Sequence, residues 1–578
     1  MHTPPYRTHP VHVFPWLALS AGYDALATEL ARRADQFDAP GLIAIDGFVG
    51  VPWELFIDRL RAACGRRALA ARWLSTARCF LPSPQIDDLL APMLTDDPVF
   101  GRLFRGHVEE LWDARDAAAL RRDAEGRHDL TVVYGFGASH LAADGFQVYV
   151  DVPKECGQER AATGAIVNVG AAEPASFGAM YKRMYFVDWP MLNRVKRAAL
   201  PRLDIVVDGT DLEAPAFADG DAFRRALHAL AHRPFRVKPW FAPGPWGGQW
   251  MKERFGLDPG QPNYAWSFEL IAPENGVLLG DGTRALECSF DYPLWQETDA
   301  ILGPAVAARY GSYFPIRFDY LDTMGGTNLS CQVHPRLDYI RDEFGEPFTQ
   351  DETYYIVACE PGARVFLGLR DDGDPEAFEA AALAARDHDT PFDIADHVNS
   401  VPAAPHDLFL IPSGTVHCSG ADNLVLEISA TPYIYTFKIY DYLRRDLAGE
   451  RRPTHLDHAF ANIDRIRTTP WVRAHLVPTP VLRRAGPTWA EYCLGESDRL
   501  FFAIHRLDFV DEIADETGGT FIALNLVEGD RCDILTDGNE PVELRFAESI
   551  VIPASVGAYA LRNTGQAPCK VVKAFVKG

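Results

Sequence analysis

Near residue 230 the sequence changes its punctuation, and no other feature limits so strongly what the chain can fold into. Before that point apolar runs alternate with Ala-, Arg- and Leu-rich helical patterns: Gly41 to Asp46 then Trp53 to Cys64, later Thr131 to Tyr134, Gln147 to Val150 and Leu203 to Val207. Strands alternating with helices build a parallel sheet covered on both faces. After it, beyond a Pro-, Trp- and Gly-rich stretch at 234–250, short apolar runs are separated by Gly, Pro, Asn and Asp: Tyr354 to Cys359, Ala363 to Leu367, Leu408 to Ile411, Leu424 to Ile428. That is the spacing of a β-sandwich or jelly roll. One helix, Pro375 to Arg386, interrupts it with proline in its first turn.

The β pattern returns at Phe521 to Val527, Ser549 to Ile552 and Lys570 to Phe575. Aligned on their prolines, Leu408 to His417 and Ser549 to Ala558 read as a weak internal repeat in which His417 of the first copy is Ala558 of the second. The expected fold is multidomain α/β plus β, with domains at 1–230, 231–475 and 476–578. A chain of 578 residues accommodates them at roughly 150 residues per domain.

Lys plus Arg total 56 against 80 for Asp plus Glu, a net charge of −24 that disfavours a nucleic-acid backbone or an anionic membrane as partner. No apolar run approaches the roughly 18–20 residues of a membrane span. The ten cysteines form no Cys-x-x-Cys pair and no cluster, so buried thiols in a reducing, cytoplasmic setting are expected rather than a disulfide framework or a zinc knuckle.

One set of residues carries chemistry. Gln332 and His334 are two apart at the end of a strand-like run, so an amide and an imidazole project from one face. Glu352 opens the next apolar strand and His417 closes Ile411-Pro-Ser-Gly-Thr-Val-His. Two His, one Glu and one Gln from three β segments make a mixed nitrogen and oxygen site for a divalent metal with a position left open, as a catalytic metal requires.

The segments Leu329-Ser-Cys-Gln-Val-His-Pro335, Glu352-Thr-Tyr-Tyr-Ile-Val357, Phe409 to His417, Leu424-Val-Leu-Glu-Ile428 and Lys438-Ile-Tyr-Asp-Tyr442 resemble, in order, the motifs of type I phosphomannose isomerases of the cupin superfamily. Pro245-Trp-Gly-Gly248 and Phe268 to Gly276 look like the start of the same domain; the likeness runs over about 235–470 and more loosely over the last hundred residues. The resemblance implies aldose–ketose isomerisation of mannose 6-phosphate and fructose 6-phosphate with one zinc held by Gln332, His334, Glu352 and His417, and a C-terminal degenerate cupin. Lys438 stands in place of the family arginine of Tyr-Arg-Val-Tyr-Asp, keeping charge without the bidentate fork, and is the candidate for polarising the substrate or assisting proton transfer. Two family lysines are replaced, by Gln350 and Asp319, which leaves Arg317, Arg336 or Arg444 to meet a phosphate.

Gly41 to Gly50 resembles the first strand and turn of P-loop nucleoside kinases of the uridine kinase type. The last three places of the phosphate loop read Pro52, Trp53 and Glu54 instead of Gly, Lys and Ser/Thr, so a kinase-like fold without phosphoryl transfer is expected. Val133 to Ser139 and Phe186 to Asn193 read as later strand ends of that domain, with Gly135 and Gly137 in a tight turn. Beside a zinc-dependent isomerase acting on a small sugar or sugar phosphate stand two other readings: a non-catalytic sugar-sensing protein, and a metal cupin of another reaction type such as an iron oxygenase.

Overall fold

The computed structural model describes residues 5–36, 41–126, 129–446 and 449–578 and divides into two compact units. One comprises Val11–Leu230 with Pro273–Glu297; the other holds the chain up to Pro10, Ala231–Ala272 and Thr298–Gly578. Among the described residues no helix is long and apolar enough to cross a membrane.

The unit of residues 11–230 and 273–297 is built on a seven-stranded sheet. Its strands are β1 (Gly41–Gly47), β2 (Arg72–Ser75), β3 (Leu130–Tyr134), β4 (Phe146–Asp151), β5 (Ile205–Asp208) and β6 (Ala216–Asp219), with the short Ser20–Ala21 at one edge. They lie in the order Ser20–Ala21, β6, β5, β4, β1, β3, β2, and the five from β5 to β2 are parallel. The chain leaves β1 for the far edge at β2, returns through β3 and then passes β1 to reach β4, so the sheet reverses its direction of growth at β1. Both faces of β1 and β4 are buried, which is why these segments are almost continuously apolar in sequence. Helix α1 (Trp53–Arg66) packs Phe56, Ile57 and Leu60 into that core. Pro273–Glu297 adds an antiparallel pair, Gly276–Gly280 with Ala285–Ser289, the first of which runs parallel to Val11–Val13. The reading of Phe186 to Asn193 as a strand end is overturned: a π-helical turn, Met184–Asp188, runs directly into helix α2 (Trp189–Ala199). Pro190 falls just past the π-helical turn, and Leu192, Val195 and Ala199 repeat at helical spacing on the buried side.

The other unit contains two windings of one kind. In the first, β7 (Ile316–Asp322), β8 (Cys331–Val333), β9 (Glu352–Cys359), β10 (Arg364–Leu369), β11 (Val398–Pro402), β12 (Leu408–Ile411), β13 (His417–Ser419) and β14 (Asn423–Ala430) form two antiparallel sheets. One has the order β12-β9-β14-β7 and the other β11-β10-β13-β8, the latter extended beyond β8 by β15 (Phe437–Tyr440). Distributing eight strands in this way, first with eighth and second with seventh, is the winding of a jelly roll.

The second copy repeats it with β16 (Phe502–Phe509), β17 (Glu512–Glu516), β18 (Ile522–Glu528), β19 (Arg531–Thr536), β20 (Val542–Arg545), β21 (Ser549–Ile552), β22 (Ala558–Asn563) and β23 (Cys569–Val576). Its sheets run β16-β23-β18-β21 and β17-β22-β19-β20. The weak repeat read from sequence is therefore a repeat of topology: β12 and β21 are the sixth strands, each is followed by proline, and His417 and Ala558 open the seventh. All ten cysteines are free thiols, eight of them buried.

Candidate metal centre

Gln332 lies within β8, His334 just beyond its end, Glu352 opens β9 and His417 opens β13. Gln332 pairs across the sheet with His417 on one side and with Lys438 of β15 on the other, so the three side chains share a face. The structure thus brings all five sequence-identified residues to one end of the first jelly roll. His334, Glu352 and His417 form a three-residue cluster whose ligand atoms lie within 4.8 Å of one another, all buried.

The hydrogen bonds fix which nitrogens face inward. His417 Nδ1 lies 2.8 Å from the Thr415 carbonyl and His334 Nδ1 3.3 Å from the Tyr435 carbonyl. A carbonyl only accepts, so each Nδ1 carries the proton and each Nε2 presents a lone pair. Those lone pairs point at the Glu352 carboxylate: His417 Nε2 is 2.7 Å from Oε1 and His334 Nε2 is 3.0 Å from Oε2. His334 Nε2 and Glu352 Oε1 make no hydrogen bond, although both are fully buried. Acceptors crowded against acceptors in a dry interior are unfavourable unless a cation lies among them. Gln332 Nε2 is 3.3 Å from His417 Nε2, and half a turn of the amide presents its oxygen at the same point. Burial pulls the His334 imidazole below its ordinary value, which favours the neutral form whose Nε2 carries a lone pair. Two imidazole nitrogens, a carboxylate and an amide oxygen fit a borderline divalent ion.

Behind the cluster, cross-strand register sets two rows of polar residues on one face of β7, β14 and β9: Arg317, Ser429 and Glu352, then Asp319, Glu427 and Tyr354. Arg317 bonds Glu427 and Ser429, the latter at 2.5 Å, and lies 3.6 Å from Asp319. Asp319 therefore stands beside a buried guanidinium supplied two residues earlier on its own strand. Burial pushes its carboxyl up to about 6, with Arg317 opposing and Glu352 adding to the rise. Gln350 donates to Glu352 Oε2 at 3.0 Å. Among the described residues no carboxylate lies within ion-pair distance of Lys438, and burial together with Arg452 pulls its ammonium down to about 8.

The three arginines that the sequence nominates to meet a phosphate are otherwise engaged. Arg317 is inside the polar rows, Arg336 is half-buried beside Asp338 at 3.5 Å, and Arg444 is bound to Asp441 at 2.6 Å. A different basic set escapes sequence reasoning: Arg309, Arg341, Arg499 and Lys577 line a cavity of about 570 Å³ whose wall includes Thr349, Asp351 and Ala430, at the end of the roll where β9 begins and β14 finishes. None of the four has a carboxylate within 4 Å among the described residues. Four cations at positions 309, 341, 499 and 577 leave no local signature in sequence.

The fold of this unit is a double jelly roll whose first roll gathers His, His, Glu and Gln at one end as a candidate divalent-metal site. Residues 22–232 match a family model described as a domain of unknown function, DUF8485. Over 54–59% of its length the chain is similar to curated proteins named mannose-6-phosphate isomerases. The Streptococcus mutans protein is 22% identical over 318 residues, covering 54% of this chain and 90% of that one. Bacillus subtilis GmuF, a probable mannose-6-phosphate isomerase, is 25% identical over 339 residues, covering 57% and 96%. Among solved structures, the mannose 6-phosphate isomerase from Bacillus subtilis superposes with a TM-score of 0.48 at 19% identity, covering 59% of this chain and 99% of that one. A putative mannosephosphate isomerase from Archaeoglobus fulgidus gives 0.46 at 18%, covering 60% and 98%.

Proposed function

We propose that the chain is a zinc-dependent aldose–ketose isomerase acting on a hexose phosphate and interconverting mannose 6-phosphate and fructose 6-phosphate; mannose 6-phosphate is the substrate its relatives' names print. The observation that carries this reading is the convergence of two imidazole lone pairs and a carboxylate that make no satisfactory hydrogen bonds with one another. Gln332, His334, Glu352 and His417 would hold the ion. Bound there, zinc supplies Lewis acidity toward the oxygens on the two carbons that exchange a proton.

The remaining work falls to the chain's own groups. The Nδ1 bonds to Thr415 and Tyr435 keep both imidazoles oriented. Lys438, sharing a face with Gln332 and lacking an anionic partner, can donate to a substrate oxygen or shuttle a proton at Nζ, and its lowered pKa suits either task near neutrality. Arg309, Arg341, Arg499 and Lys577 would receive the phosphate. For the unit of residues 11–230 and 273–297 we infer a P-loop-like domain that transfers no phosphoryl group: the Trp53 ring lies against Gly47 of the first turn, 3.1 Å from where a Cβ would be.

The deciding experiment is metal analysis of the purified protein together with isomerisation of mannose 6-phosphate, unphosphorylated mannose being run alongside. We expect close to one zinc per chain and turnover of the ester, with both lost in His334→Ala and His417→Ala. Full activity in either variant would end the proposal. Arg341→Ala and Arg499→Ala should each raise KM for the ester about 10-fold or more with little change in kcat, since a charge-assisted bond is worth roughly 1.5–3 kcal/mol.

A further inference from the structure

The first sheet of the second roll continues beyond β16 into two further strands, Trp489–Gly495 and, at the edge, Val481–Ala485. Register places Val481, Cys493, His505 and Lys573 in one row across these strands, β16 and β23, and Arg484, Glu491 and Leu507 in the next. Leu507 belongs to the core of the roll, so both rows face inward.

A thiol and an imidazole directly opposite on neighbouring antiparallel strands have Cβ atoms about 4.5–5.5 Å apart, close enough for the side chains to meet. The imidazole is held for that partner. His505 Nδ1 lies 2.7 Å from Glu491 Oε1, and a carboxylate only accepts, so Nδ1 is spent on Glu491 and Nε2 is left for the Cys493 sulfur, to which His505 bonds. Glu491 is fixed in turn by Arg484, whose guanidinium reaches Asp515 at 2.9 Å. Asp515 also receives Lys573 and the Tyr559 hydroxyl, each at 2.6 Å, so the lysine of the row is already answered. The charges that bear on the thiol are those of His505 and of Arg483, which is exposed and also paired with Glu496 at 2.8 Å.

Thiol, imidazole and carboxylate in that order are the parts of an activated sulfur nucleophile. Burial pushes the thiols of Cys64, Cys288 and Cys532 up. At Cys493 the bond from His505, joined by Arg483, outweighs burial and pulls the thiol below its ordinary value. Access is narrow: Cys493 is 6% exposed, while Val481, its neighbour on the edge strand, is 55% exposed, so the row opens to water beside the thiol. Such an opening suits a reagent of two heavy atoms, and two cations at the sulfur suit a reaction whose leaving group is an anion.

We propose that Cys493, His505 and Glu491 form a thiol modification site, separate from the metal centre, whose substrate is hydrogen peroxide. The Cys493 thiolate attacks one oxygen; the S–O bond forms as the O–O bond breaks, and the leaving hydroxide takes the proton from His505 Nε2 and departs as water. Sulfur gives up two electrons and the peroxide gains them, which leaves a sulfenic acid on Cys493. Glu491 touches no reacting atom and is a positioning residue for the imidazolium.

The test exposes the full chain to hydrogen peroxide, stops the reaction with catalase and unfolds the chain in dimedone, so that sulfenic acid is trapped at any depth; peptide mass spectrometry then reads all ten cysteines. At pH 7 we expect Cys493 to be oxidised at least about 10-fold faster than any other cysteine, with a rate that reaches half its maximum below the roughly 8.5 of a free thiol. His505→Gln should slow Cys493 about 10-fold or more and return the midpoint toward 8.5, and Glu491→Gln should move the midpoint the same way by less. Arg483→Ala, a change at an exposed side chain that keeps the fold, should slow it several-fold. A Cys493 rate no greater than that of the other thiols, or an unaltered rate and midpoint in both His505→Gln and Arg483→Ala, would overturn the site.

Discussion

Lys438 carries its charge at a cost to the fold, which is what the catalytic role proposed for it leads one to expect. The folded chain holds its ammonium near 8, whereas an unfolded chain keeps lysine protonated to about 10.4. Below pH 8 the folded state carries a buried charge with no counter-ion beside it; as pH rises from about 8 to about 10 the folded state releases a proton that the unfolded state retains, and stability increases. Lys438→Met should therefore be more stable than the parent by about 1–3 kcal/mol at pH 7, lose the rise in stability above pH 8, and turn over at least about 100-fold more slowly with its metal retained. Thermal unfolding across that pH range, set beside kcat, tests all three; a destabilised but active variant contradicts the role. Arg317 should behave in the opposite way. Removing it in Arg317→Met leaves Asp319, Glu427 and Glu352 buried together, a loss of about 3–5 kcal/mol at pH 8 that shrinks toward pH 5 as Asp319 protonates. Urea unfolding at the two pH values measures it, and an equal loss at both would show that Arg317 acts by packing alone.

Single elements carry comparable tension. Asp208 ends β5 and accepts Thr210 N at 2.8 Å and Glu287 N at 2.7 Å, yet burial, the larger influence, pushes its carboxyl up to about 7. An unfolded aspartate ionises near 4, so between about pH 4 and pH 7 the folded state holds a proton that the unfolded state has lost, and stability falls as pH rises through that window. Asp208→Asn should flatten the slope, read as the melting temperature between pH 4.5 and pH 7.5; an unchanged slope would place the titration elsewhere. Asp208 also marks what sequence could and could not convey. Its strand was legible as an apolar run near 205, and so were most jelly-roll strands, because Gly, Pro, Asn and Asp break the chain between them. The residues proposed to hold a metal stood out in sequence because they lie in or beside such strands, Gln332 within β8, His334 just past it, and Glu352 and His417 at strand starts. Phe186 to Asn193 was not legible, since a π-helical turn with an aromatic run and a proline imitates the end of a strand. The basic cavity was hidden because its four cations converge only through the winding of the fold.

At the scale of the molecule, the chain passes between its two units four times, at residues 10, 230, 272 and 297. A cut at 230, where the sequence changes pattern, therefore leaves Pro273–Glu297 behind, and those residues close the polar interior of the unit that begins at Val11. Lys154, 2% exposed, is paired with Asp291 at 2.6 Å, and the fully buried Lys196 lies between Asp151 at 3.0 Å and Asp291 at 3.9 Å. Asp151 also receives Ser289 N, and the strand Gly276–Gly280 is the partner of Val11–Val13. A fragment of residues 1–230 keeps the Lys196–Asp151 pair but loses every contact to the returning segment at once: Lys154 is left without Asp291, Asp151 and Asp208 are each short of a donor, and the strand Val11–Val13 is unpaired. Breaking one buried pair costs about 3–5 kcal/mol, a large part of the 5–15 kcal/mol that holds a typical domain together. The fragment should unfold without a cooperative transition by circular dichroism and aggregate. A second fragment that joins residues 11–230 to 273–297 through a short flexible linker should melt cooperatively. A cooperative transition in the shorter fragment, at the temperature of the longer one, would show that the returning segment is an ornament on the unit rather than part of its core.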